Sequence, residues 1–217
     1  LGHGDAIHLS DMDPGRPGLE LFDIHEKVDH PHGVELRDPK TGAILWSKPS
    51  PDVGRGVAFD IDPRHRGYEM WASGRGLSGL WNVHGKTISE SKPTSCNMGV
   101  WWDGDRLREL LNGTTIDKWS WETGTTERIL SAHDYECASN NGSKANPLFA
   151  GDILGDWREE VIWRTSDNQE LRIFISTVPT EERMATLMHD PIYRLSAALQ
   201  NVGYNQPAQP GFYLGVK

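Results

Sequence analysis

Carboxylates at alternate positions of a turn, with a glutamate at its exit, can hold a hard divalent cation through oxygen ligands. This 217-residue chain carries such a turn at Asp152 and Asp156, with Glu160 opening the strand that follows. On its own the pattern reads equally well as a solvated hairpin end. It recurs three more times. Asp11 and Asp13 precede Glu20, Asp60 and Asp62 precede Glu69, and Asp103 and Asp105 precede Glu109. The four glutamates stand 49, 40 and 51 residues apart. Each set of acids is a candidate Ca²⁺ site that would pin the first hairpin of its repeat.

The elements that must position these turns follow from the spacing. A period of about 40–50 residues is the signature of a radial β-array, so the expected fold is an all-β β-propeller with about four antiparallel blades. Each repeat divides into four strands. They are expected at 6–9, 19–24, 34–37 and 43–46; at 57–59, 68–72, 80–83 and 87–88; at 100–102, 109–111, 116–121 and 128–130; and at 148–150, 161–164, 171–175 and 184–187. Asp38-Pro39-Lys40-Thr41-Gly42 is the strongest hairpin signal, since proline presets the turn and glycine accepts a positive φ. The blades therefore lie near 5–47, 55–89, 97–130 and 145–188, with a tail at 189–217. No linker separates them, so one domain is expected over 1–217. In the tail, Asp190-Pro191 with apolar residues at Ile192, Leu195, Ala198, Leu199 and Val202 predicts a capped helix. Phe212-Tyr213-Leu214 is expected as a last, ring-closing strand.

Composition narrows the function. The net charge of −9 disfavours nucleic acid, whose binding needs basic clusters, and suits a protein that holds cations. No run approaches the roughly 20 apolar residues of a membrane span. Cys96 and Cys137 are isolated, which argues against a cysteine zinc site and leaves a disulfide open. The chain opens on Leu1 directly into a repeat, the pattern of a piece of a longer protein. The tryptophans within strand patterns, among them Trp46, Trp71, Trp81, Trp101, Trp102 and Trp163, are expected as core.

Several longer motifs remain: His3-Gly4-Asp5, Asn140-Asn141-Gly142-Ser143-Lys144, Gly155-Asp156-Trp157-Arg158-Glu159-Glu160, His189-Asp190-Pro191-Ile192-Tyr193-Arg194 and Asn201-Val202-Gly203-Tyr204-Asn205-Gln206-Pro207. Together with the acidic turns, over essentially the whole chain, they resemble rhamnogalacturonan lyases of polysaccharide lyase family 11. The resemblance implies an eight-bladed propeller with several bound Ca²⁺, of which this chain matches the C-terminal half. The missing N-terminal half would be its structural partner. It also implies a secreted or periplasmic enzyme of pectin degradation, cleaving the rhamnogalacturonan I backbone by β-elimination at the rhamnose–galacturonate bond.

The resemblance assigns roles as well. Lys144 and Arg55 would be the catalytic pair facing the galacturonate, with Lys144 favoured as base and Arg55 as carboxylate clamp, because lysine shifts its pKa more readily. Without the resemblance both read as ordinary loop cations. Asn141, Gly142, Ser143 and Tyr204 would line the sugar subsite, Ser143 standing where the family has threonine. Asn201 and Asn205 would help hold one Ca²⁺, and His3, Asp5 and Glu26 another, although nitrogen is an unusual ligand for that ion. The rival expectation is a non-catalytic, calcium-dependent carbohydrate-binding or adhesion propeller, which the acidic turns alone would serve equally well. Lys144, Arg55 and Tyr204 discriminate between the two, since a binding module has no need of two cations at a uronate.

Overall fold

Asp38 accepts the N–H groups of Lys40 and Thr41 at 2.8 and 2.9 Å, and Gly42 takes φ +76°. The hairpin read from this stretch therefore forms, joining β3 (Val34–Arg37) to β4 (Ile44–Lys48). The computed structural model describes residues 2–26, 32–202 and 206–215. It is all-β apart from one helix and short 3₁₀ turns, and its strands form four antiparallel four-stranded sheets.

The first sheet runs β1 (Ile7–Ser10), β2 (Glu20–Ile24), β3, β4 in sequence order. The second runs β5 (Val53–Phe59), β6 (Glu69–Gly74), β7 (Leu80–Trp81), β8 (Thr87–Ser89). The third runs β9 (Met98–Val100), β10 (Glu109–Asn112), β11 (Thr115–Ser120), β12 (Thr125–Ser131). In every case the acidic turn joins the first two strands, as expected.

The fourth sheet departs from the expectation. Its strands are β13 (Cys137–Ala138), β14 (Phe149–Gly151), β15 (Glu160–Thr165) and β16 (Leu171–Phe174). β16 pairs with residues 161–164 of β15, while β14 and β13 pair with residues 160–162 and 164–165. A strand has two edges, so β13 and β14 lie end to end along the same one. The first strand of this sheet is thus interrupted, and the break holds the loop carrying Lys144. The strand expected at 184–187 is absent. Leu187 instead enters a 3₁₀ turn (Leu187–His189), because Asp152 accepts the Leu187 N–H and the Thr186 hydroxyl at 2.7 Å each.

Consecutive sheets pack face to face, and the core lies in the seams between them. Phe22, Ile24, Met70 and Trp81 fill the first seam, Phe59, Trp71, Leu110 and Trp119 the second, and Met98, Ile116, Val161 and Trp163 the third. The strand tryptophans are core residues, Trp46 packing at the edge of the first seam 6.3 Å from Trp81. Both cysteines are buried and unpaired, so the disulfide is not formed.

The tail ties the sheets together without adding a strand. Asp190 caps α1 (Pro191–Leu199), accepting the N–H groups of Ile192 and Tyr193. The helix buries Tyr193 and Ala197, while Leu195, Leu199 and Val202 remain exposed. Beyond it, the buried Gln209 side chain donates to His8 on β1 and to the Ala58 carbonyl on β5, and accepts from Arg108 beside β10. Phe212-Tyr213-Leu214 is not a strand. Tyr213 is held by side chains instead, its N–H donating to Asp11 and its hydroxyl accepting the Gly67 N–H. A side-chain strap does here what a closing strand was expected to do.

His8 gives this strap a pH dependence. Its Nε2 donates to the Gly56 carbonyl and its Nδ1 accepts from Gln209. Burial drives the imidazole from 6.5 down to about 3; the Gly56 bond opposes the shift, while Arg55 and Arg108 add to it. The unfolded chain therefore takes up this proton between pH 6.5 and 3 while the folded chain does not. Stability from this group is complete above pH 6.5 and is lost as pH falls, by at most about 1.4 kcal/mol per pH unit. Denaturant melts of wild type and His8→Gln across this range should show a shallower acid slope in the variant; equal slopes would exclude His8 as a source.

Candidate active site

Arg55 sits one residue past a bulge. β5 pairs Val53 with Gly74 and then Arg55 with Ser73, so Gly54 is the extra residue that re-aims the side chain. The guanidinium donates to the carbonyls of Asp5 (2.8 Å), Cys96 (3.4 Å) and Asn97 (3.1 Å), and to the Asn97 side-chain oxygen (3.3 Å). Burial lowers its pKa, with Asp5 opposing.

Lys144 arrives from the break between β13 and β14. Asn140 and Asn146 close the neck of this loop through paired backbone bonds. Within it Asn141, Gly142 and Ala145 all have positive φ, at 61°, 55° and 50°. For Ala145 that conformation costs roughly 1–3 kcal/mol and persists only where the surroundings enforce it. Two donors do so through three contacts: Gly113 N–H reaches the Ala145 carbonyl at 2.8 Å, and Asn97 Nδ2 reaches the Lys144 and Ala145 carbonyls at 3.0 and 3.1 Å. Asn97 therefore holds both cations, Arg55 through its oxygens and the Lys144 loop through its amide. Nothing in the sequence flags it, because Arg55 and the Lys144 loop lie more than 40 positions away from it.

The two cations meet over one cavity of about 430 Å³, lined also by Asp5, Glu26, Asn97, Asn112 and Ser143. Lys144 Nζ lies 2.5 Å from Asp5 Oδ2. His3 Nδ1 stands 2.8 Å from Glu26 and 3.5 Å from Asp5, so these three residues converge as their motif suggested. Asn141 and Gly142 occupy exposed positions earlier in the Lys144 loop. Tyr204 and Asn205 lie outside the described residues. Asn201 donates to the Leu148 carbonyl at 2.6 Å and accepts from Asn146, so its amide clamps the start of β14. A further cavity, of about 500 Å³, lies at the other end of β5, bordered by Asp60, Asp105, Arg64 and Tyr213.

The fit to Ca²⁺ differs from place to place. In all four turns one oxygen of the glutamate (Glu20, Glu69, Glu109 or Glu160) accepts two successive backbone N–H groups at 2.8–3.3 Å. The hairpin pin expected from a metal is thus supplied in part by the glutamate itself. Buried carboxylate oxygens without a hydrogen-bond partner remain at Asp5, Asp11 and Glu69, and burial raises Asp60 to about 7. Oxygens left in this state suit a cation, so the His3–Asp5–Glu26 group fits one, and the first two turns fit one only in part, since Arg16 already pairs with Glu20 and Arg64 with Asp62. The fourth turn does not. Asp152 is occupied by Gly155, Thr186 and Leu187, and Asp156 by Arg158. In the third turn Asp103, Asp105 and Glu109 converge, but on the ammonium of Lys118.

One cluster escaped the sequence reading. Asp23 and His25 on and just after β2 face Glu35 and Arg37 on β3, with His25 Nε2 3.1 Å from Glu35. Alternation of polar residues along two paired strands was its available signal. Arg37 already ion-pairs with the acids there.

The model for the C-terminal domain of rhamnogalacturonan lyase family 11 matches residues 1–217. The chain is 52% identical over 216 residues to rhamnogalacturonan endolyase YesW of Bacillus subtilis (strain 168), covering 99% of this chain and 34% of that protein. It is 48% identical over 229 residues to rhamnogalacturonan exolyase YesX of the same organism, covering 99% and 37%. The crystal structure of YesW superposes with a TM-score of 0.94 over 99% of this chain and 36% of that one. The Bacillus licheniformis rhamnogalacturonan lyase PL11 superposes with a TM-score of 0.93 at 52% identity, over the same shares. This chain spans about a third of the length of these relatives. It belongs to rhamnogalacturonan lyase family 11, whose C-terminal domain it matches from end to end.

Proposed function

We propose that this chain forms the catalytic wall of a rhamnogalacturonan lyase that cuts rhamnogalacturonan I by β-elimination. The observation that carries the reading is the meeting of Arg55 and Lys144, from two different sheets, over one polar cavity. Elimination at a uronate needs its C6 carboxylate neutralised, its C5 proton removed and its C4–O4 bond broken. Arg55 suits the first task. It donates to four fixed acceptors and so presents a preorganised positive charge with no lone pair to act as base. Lys144 suits the second, since an amine, unlike a guanidinium, can serve as a base. The C5–H pair then becomes the C4=C5 double bond, and O4 leaves with its bonding electrons and is protonated.

Calcium belongs to this reading. His3, Asp5 and Glu26 would hold one ion at the edge of the cavity, where it supplies charge to the uronate carboxylate. Asp11, Asp13 and Glu20, and Asp60, Asp62 and Glu69, would hold structural ions. Asn141, Gly142 and Ser143 would line the rhamnose side, joined by Tyr204, with Asn205 near a further ion. The four sheets would be consecutive blades of one propeller domain, completed by the N-terminal remainder of a longer chain rather than by an equal half, since this chain spans about a third of its relatives. Support for such a partner comes from the last sheet, where Leu171, Ile173 and Ile175 leave an apolar stripe exposed on one face. A pectic substrate suits a secreted or periplasmic protein.

Two tests follow. With the full-length protein, Lys144→Ala should abolish the ultraviolet absorbance of unsaturated uronate product on rhamnogalacturonan I while oligosaccharide still binds. Retained turnover would refute the role of Lys144, and binding without turnover in the wild type would favour the carbohydrate-binding alternative. Calcium titration should raise the melting midpoint, by the equivalent of about 2.7 kcal/mol at a hundredfold excess over the dissociation constant. A midpoint indifferent to calcium and to chelator would remove the metal from the account.

A further inference from the structure

We infer that the cation of the third acidic turn is built into the chain: the Lys118 ammonium occupies the place a Ca²⁺ would take, and this turn binds no metal. Lys118 stands in β11, one residue past the register shift at Ile116–Asp117, where Ile129 is the extra residue of β12. Its Nζ lies 2.7 Å from Asp105 and 3.0 Å from Glu109, and also contacts Asp103. These are the three acids the repeat pattern assigns to a metal. Among the described residues they are also the one acidic-turn set whose oxygens converge. The point of convergence is the ammonium.

Register explains why the other turns differ. β10 pairs Leu110 with Asp117, so continuing by one residue sets Lys118 opposite the anchor Glu109. The same step in the other sheets sets Asp38 opposite Glu20, Asn82 opposite Glu69 and Ile175 opposite Glu160. Of these four positions the third alone carries a cation. In the second turn Glu69 keeps an oxygen without a partner, in the first the corresponding oxygen of Glu20 meets Arg16 from the turn itself, and in the third that of Glu109 meets Lys118 from the paired strand, which alone gathers all three acids. A three-donor ammonium among three carboxylates satisfies the oxygens and offsets their repulsion, as a divalent ion would. Seating Ca²⁺ at the same point would require expelling Nζ into solvent.

The inference rests on the calcium reading only for its contrast with the first two turns, and the experiment separates them. Bound calcium is counted by native mass spectrometry of the full-length protein. Lys118→Ala should carry one more ion per chain than the wild type. It should melt lower than the wild type in chelator, and calcium should restore the difference. Asp105→Asn, the arm that decides should Lys118→Ala not fold, should leave the wild-type count unchanged. The inference is overturned if Lys118→Ala gains no ion, if Asp105→Asn loses one, or if crystals of the wild type show an ion among Asp103, Asp105 and Glu109 with Nζ displaced. A wild type holding no calcium at all would instead sink the metal reading of the first two turns, while the gain in Lys118→Ala would still decide this one.

Discussion

A buried glutamate that accepts two successive backbone N–H groups is the interaction on which each sheet depends. Glu20, Glu69 and Glu109 are fully buried and Glu160 nearly so. Each opens the second strand of its sheet and reaches back across the turn to the end of the first. Burial raises the pKa of Glu69, of Glu160 and of Glu109, the last to about 8, so the pin rests on the acceptor oxygen rather than on a full charge. Leaving a buried N–H unpaired costs about 1–3 kcal/mol. The turn is therefore pinned before any metal is considered. Pinning one end of the first hairpin also fixes where its other end emerges, and that is where Arg55 enters.

Both ends of the sheets mix charges, with Arg16, Arg64, Lys118 and Arg158 among the turn acids and Asp5 and Glu26 beside the two cations of the cavity. Much of the excess acid lies in the turns, whereas Arg55 and Lys144 stand at the far end of the array. Neither cation is held by its own strand alone. Asn97, just ahead of β9, grips both, and Asp5, just ahead of β1, supplies a carbonyl to Arg55 and a carboxylate to Lys144. The cavity is thus assembled from all four sheets at once, and Gln209 and Arg108 lock the first three together. A strained loop at Lys144 can be maintained because its surroundings are this constrained.

How much of this could be read in the chain depended on whether the cause was local. The Asp38–Gly42 hairpin, the acidic turns and the Asp190 cap each arise from residues a few positions apart, and each formed as expected. The interrupted edge of the fourth sheet did not announce itself, because β13 has two residues and earns its place only by pairing with the far end of β15. The expected strands at 184–187 and 212–214 had the right apolar character. Asp152 and Asp11 claimed the backbone N–H groups of Leu187 and Tyr213, which a sheet would have needed. The acids of the third turn could be read as a group from their spacing, but the lysine that neutralises them depends on strand register.

The most direct measurement of the central claim is a crystal structure of the full-length protein with a rhamnogalacturonan oligosaccharide bound to an inactive Lys144 variant. The account predicts a galacturonate carboxylate against the Arg55 guanidinium, with its C5 facing the position vacated by the lysine amine. A sugar chain seated elsewhere, for instance in the cavity beside Asp60 and Tyr213, would contradict it.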